Sequence, residues 1–118
     1  MTTRDEAGEL VRRLLHGFNT RHFDLADDLY TAGFVTHPFG TGPSEGKQAW
    51  RLLVTKFPGI QLVADDILVD GDRVTVRSSV TGVGTRAGEP DPILIEVFRI
   101  EAGRLAEWWG STWLPDLT

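Results

Sequence analysis

The hydrophobic period of the chain changes once, near Ile60, and that change limits the folds open to it. Upstream, Leu10, Val11, Leu14, Leu15 and Phe18 recur at the spacing of one helical face. Downstream the pattern alternates: Val74, Val76 and Val80 fall on one side of a strand, and Arg73, Thr75, Arg77, Ser79 and Thr81 on the other. Helices followed by an antiparallel meander give an α+β architecture.

Local signals divide the chain further. Thr3 or Asp5 can cap the first helix, and Glu6 and Glu9 suit its positive end; Asn19-Thr20 closes it. A short second helix, HFDLADDLY, offers Phe23, Leu25, Leu29 and Tyr30 for packing. AGFVTHPFGTGP then reads as an extended piece broken by Gly and Pro. Ser44 can cap a third helix, SEGKQAWRLLVTKF, which Pro58-Gly59 terminates. The strands are IQLVADDILVD, RVTVRSSVTGVG, ILIEVFRIE and RLAEWWGSTWL. Asp70-Gly71-Asp72 and Ala102-Gly103 turn the hairpins, and TRAGEPDP joins the middle pair.

Composition removes several function classes. The 118 residues make one domain, 1–118, large enough for a real core. A net charge of −5 without a basic stripe argues against nucleic acid, because phosphate binding needs clustered Lys and Arg. The absence of cysteine excludes disulfides, thiolate metal sites and a Cys nucleophile. His16, His22 and His37 show no metal-ligand spacing, so no metal and no cofactor is expected. GTGPSEGK and GVGTRAG lack the spacing and setting of phosphate loops. The polar start and the lack of a long apolar run point to no membrane and to a cytoplasmic protein.

YTAGFVTHPFG, KFPGIQLVADDILVDGDRVTVR and VFRIEAGRLAEWW, in that order, resemble the SnoaL-like polyketide cyclase group of the NTF2-like superfamily. The resemblance spans nearly the whole chain. It implies a cone in which a curved antiparallel or mixed sheet wraps N-terminal helices around an apolar pocket. It also implies a homodimer formed through the outer sheet face. Members of this fold include cyclases, isomerases, dehydratases, epoxide hydrolases and non-catalytic binders, so fold alone does not settle function.

Three of the four tryptophans lie in RLAEWWGSTW, where they can serve as core plug, partner surface or cavity wall. By alternation Glu107, Trp109, Ser111 and Trp113 share one face, and Ala106, Trp108, Gly110 and Thr112 the other. The resemblance implies that the Trp109 face looks inward and that Trp108 lies outside. The group's cyclases and epoxide hydrolases carry an Asp soon after this Trp; the matching positions here hold Ser111 and Trp113. The histidine that the group places in a GTH loop of the sheet is absent too.

His37, Arg77 and Glu96 remain as catalytic candidates. His37 is either a pocket acid/base or a backbone-bonded residue beside Pro38. Arg77 binds an anion if it points inward and is a solvated sheet residue if it points outward. Glu96, between Leu94 and Phe98, is either a surface charge or interface partner, or an interior carboxyl of raised pKa that replaces the missing Asp. Tyr30, Phe34, Phe39, Trp50, Phe98, Trp109, Ser111 and Trp113 are candidate pocket walls. The expectation is a cofactor-free cyclase, isomerase or dehydratase of secondary metabolism acting on a hydrophobic, carbonyl-bearing molecule. A small-molecule-binding or interaction domain is the alternative, and an epoxide hydrolase the third reading.

Overall fold

The computed structural model describes residues 3–37 and 40–112, with the side chains of Thr41 and Thr112 outside the description. Helix α1 (Arg4–Asn19) starts in a capping box. The Thr3 hydroxyl accepts from the Glu6 amide, and the Glu6 carboxylate accepts from the Thr3 amide. Its apolar stripe, Ala7, Leu10, Val11, Leu14, Leu15 and Phe18, is buried against the sheet. Asn19 fixes the contact with β3 (Gln61–Asp70). Its Nδ2 donates to the Leu62 carbonyl, and its Oδ1 accepts from the Leu62 amide, both at 2.8 Å.

The second helix is shorter than its sequence pattern. Helix α2 covers only Leu25–Leu29, and Tyr30 already begins β1 (Tyr30–Thr36). After the two-residue β2 (Gly40–Thr41), helix α3 (Pro43–Lys56) starts one residue before Ser44. Gly42 holds its N-cap position at φ 102°, a conformation that costs glycine little.

β3, β4 (Arg73–Thr81), β5 (Ile93–Glu101) and β6 (Arg104–Thr112) form the expected meander. The sheet order is β2-β1-β6-β5-β4-β3, and β1 joins β6 in parallel, so the sheet is mixed. Val74, Val76 and Val80 of β4, with Leu94, Phe98 and Ile100 of β5, face the helices and form the core with α1.

The β1–β6 pairing shifts register between Tyr30 and Val35, and bulges in β3 and β6 break the alternation of the meander. Ala64 pairs with Ser78 but Asp66 with Arg77, which makes Asp65 an extra residue. Ile100 pairs with Leu105 but Arg99 with Glu107, which makes Ala106 another. Leu105 and Ala106 are consequently both buried, and every later side chain of β6 changes sides. No helix among the described residues is long and apolar enough to cross a membrane.

Candidate active site

Strand β5 turns Leu94, Glu96, Phe98 and Ile100 inward, and Ile93 and Ile95 outward. Glu96 is therefore an interior carboxyl, 7% exposed. Its strand partners are Val76 on one side and Gly110 on the other. Oε2 accepts a hydrogen bond from Trp108 Nε1 at 2.8 Å. Oε1 is buried and has no partner among the described residues.

Burial raises the carboxyl's pKa from 4.5 to about 7, with the Trp108 hydrogen bond pulling the other way. At neutral pH such a group is present in both protonation states, and can take a proton or give one. A buried carboxyl with an unused oxygen is costly to a fold, and that cost is characteristic of functional sites.

Tyr30 lies near enough to Glu96 to feel its charge, and it belongs to an aromatic cluster. Tyr30 stacks on Phe34 with centroids 3.9 Å apart and 8° between planes, and Trp50 lies 6.2 Å from Tyr30. Phe98 is fully buried and is the strand partner of Trp108. Burial and the nearby Glu96 carboxylate both push the Tyr30 phenol upward, so it stays protonated. The Ser78 hydroxyl on β4 is buried, unpartnered among the described residues, and on the same sheet face as Glu96.

The other two catalytic candidates lie outside. Thr36 is buried, so His37, the next residue, emerges on the outer face. There its ring stacks on Trp109 at 5.2 Å and its Nε2 lies 2.7 Å from Glu107 Oε2. Arg77 also points outward and pairs with Asp66 at 2.6 Å, in the solvated alternative. The structure therefore splits His37, Arg77 and Glu96 between opposite sides of the sheet.

The inward placement of Trp109 and Ser111 is corrected in the same way. Strict alternation from the buried Leu105 would bring Trp109 inside; the extra residue Ala106 puts Trp108 there instead. Trp109 sits on the outer face under the Arg73 guanidinium, 5.0 Å from its ring centre. Ser111 is exposed opposite Ile95. Trp108, expected outside, is the indole that reaches the interior carboxyl. Trp113 and Phe39 lie outside the described residues. Tyr30, Phe34, Trp50 and Phe98 are buried or half-buried on the helix side of the sheet.

Trp108, Gly110 and Ser78 were not singled out from sequence as site residues. Only the bulge at Ala106 assigns the first two to the inner face, and a bulge has no fixed residue signature. Elsewhere, an open cavity of about 410 Å³ lies by the α1–α2 connection and α3, lined by residues that include Phe23, Asp28 and Arg51. It contains none of the expected site residues.

The SnoaL-like domain model matches residues 11–108. TsrD from Streptomyces laurentii superposes with a TM-score of 0.78 at 22% identity, over 95% of this chain and 91% of that one. A candidate polyketide cyclase from Bacillus cereus gives a TM-score of 0.77 at 26% identity, over 91% of this chain and 74% of that one. A SnoaL-like polyketide cyclase from Agrobacterium tumefaciens gives 0.74 at 15% identity, over 90% of each chain. No curated protein matches the sequence. The family match over residues 11–108, on a fold shared with these structures, establishes that the chain belongs to the SnoaL-like domain family.

Proposed function

We propose that the chain is a cofactor-free enzyme that moves a proton on a hydrophobic, carbonyl-bearing small molecule, with Glu96 as the acid/base group. The carrying observation is the interior carboxyl with one oxygen held by Trp108 and the other without a partner among the described residues. In an apolar setting a carboxylate near neutral pKa can remove a proton next to a carbonyl and return it elsewhere, which is the core of an isomerisation, dehydration or cyclisation. The rings of Tyr30, Phe34, Trp50 and Phe98 on the helix side of the sheet support a flat, apolar substrate. Glu96 thus takes over the work assigned from sequence to His37 and Arg77. Similarity to a candidate polyketide cyclase at 26% identity supports a setting in secondary metabolism.

The test is solvent-deuterium exchange at the α-carbons of bicyclic aromatic ketones such as 2-tetralone, followed by NMR. The wild type is expected to accelerate exchange on at least one member of the panel, and Glu96→Gln to abolish it while binding persists. Binding without exchange in the wild type would overturn the enzymatic reading in favour of a non-catalytic binder.

The same proposal includes a homodimer through the outer sheet face. Leu68, Thr75, Val97 and Trp109 are successive strand partners across that face. Leu68 is 67% exposed, and Ile95, Ile93 and Val63 are exposed further along the same face. Such a patch on a small domain favours association with a second copy. Leu68→Asp is expected to convert a dimer to a monomer in sedimentation; a monomeric wild type would contradict the assignment.

A further inference from the structure

Gly110 lies in the interior of a strand, where glycine weakens pairing and offers nothing to pack. It is not among the residues at positive φ, so its backbone would accept any residue. The reason for glycine is therefore what a side chain would meet. A Cβ there would fall 2.5 Å from Cη2 of Trp108, closer still to Cζ2, and 3.0 Å from Cε2. The benzene ring of the indole thus occupies the space above Gly110. Gly110 is also the strand partner of Glu96, so an indole folded over it points across to β5. That is the path of the 2.8 Å bond from Nε1 to Oε2.

We propose that Gly110 is a positioning residue for Glu96, acting through Trp108: the missing Cβ lets the indole lie over β6 and deliver its N–H to the carboxyl on β5. Any larger residue at 110 lifts the ring and withdraws the donor. The hydrogen bond stabilises the ionised carboxyl against its burial, and losing it keeps Glu96 protonated to higher pH. Among the described residues, Tyr30 of β1 is a titratable group close enough to Glu96 to interact with its charge; Ser78 and Val76 of β4 bring no charge. The kinetic consequence rests on Glu96 being the proton-transfer group, whereas the titration does not.

The experiment follows the Glu96 carboxyl by NMR in chain labelled with ¹³C at its glutamate carboxyls, assigned by its loss in Glu96→Gln. Trp108→Phe and Gly110→Ala are each expected to raise the midpoint by about one pH unit or more. Together they are expected to move it no further than Trp108→Phe alone. The ascending limb of the pH–rate profile moves with the midpoint. Should Gly110→Ala fail to fold, Trp108→Val/Gly110→Ala gives the ring's space back and is expected to fold. A Gly110→Ala chain that titrates like wild type, or one whose misfolding Trp108→Val does not relieve, overturns the inference. Midpoints that move while the pH–rate profile stays put leave Gly110 as a positioning residue and instead refute Glu96 as the base.

Discussion

The two faces of the sheet carry carboxylates in opposite circumstances. Outside, Asp66 has Arg77, and Glu107 has both Arg99 and His37, all within hydrogen-bonding reach. These groups are open to water, and their pairing is worth little, because solvent screens the attraction and ordering long side chains opposes it. Inside, Glu96 has no cation among the described residues; it has one indole N–H and one idle oxygen. Its burial works against the fold. The outer carboxylates shape a surface, and the inner one is the group to which the proposed chemistry is assigned.

The sharpest way to break the contrast is through turnover. Glu96→Gln is expected to lower proton-transfer rates by about 10²–10⁴-fold, the usual worth of a positioned acid/base group. His37→Ala and Arg77→Ala should leave rates near wild type. A large loss in His37→Ala with activity intact in Glu96→Gln would reverse the assignment of the two faces. With Glu96 as the base, activity rises with pH through about 7.

Packing gives the next effect. Phe98 is fully buried two residues along β5 from Glu96. Phe98→Ala should cost about 3–5 kcal/mol in urea unfolding. A cost near zero would mean that the inner face is not a packed wall.

A smaller effect has a sign set by protonation. Below about pH 4.5 the Glu96 carboxyl is protonated in both folded and unfolded chains, and Glu96→Gln is nearly neutral. Between 4.5 and about 7 the unfolded chain ionises while the folded one keeps its proton, so wild type loses stability as pH rises. Above 7 the loss is complete and amounts to about 3 kcal/mol, because each pH unit separating the folded and unfolded midpoints is worth about 1.4 kcal/mol. Glu96→Gln should therefore be more stable than wild type at about pH 8 and similar at about pH 4. Equal stabilities at both values would show Glu96 to be solvated. Smallest of all, Arg77→Ala should leave the thermal melt unchanged within error, because Arg77 and Asp66 are both exposed.

Much of the fold was legible in the sequence because period and turn chemistry act locally. Thr3 and Glu6 announced α1, and Asp70-Gly71-Asp72 and Ala102-Gly103 announced their hairpins. The parallel β1–β6 pair was not, since it joins segments far apart in the chain. Glu96 could be suspected from its neighbours Leu94 and Phe98, whose face proved to be the inner one. The orientation of the tryptophans could not. Alternation offers two equivalent answers, and one inserted residue, Ala106, exchanges them. Arg77 shared a face with Ser79 and Thr81, but only the burial of Val74, Val76 and Val80 shows that this face is outside.

The most direct measurement is the titration of Glu96 itself, read from its ¹³C carboxyl resonance in the unmodified sequence. An interior carboxyl held by one indole N–H predicts a midpoint near 7, far from the ordinary value of 4.5. A midpoint near 4.5 would place Glu96 in water and remove the basis for assigning the chemistry to the inner face.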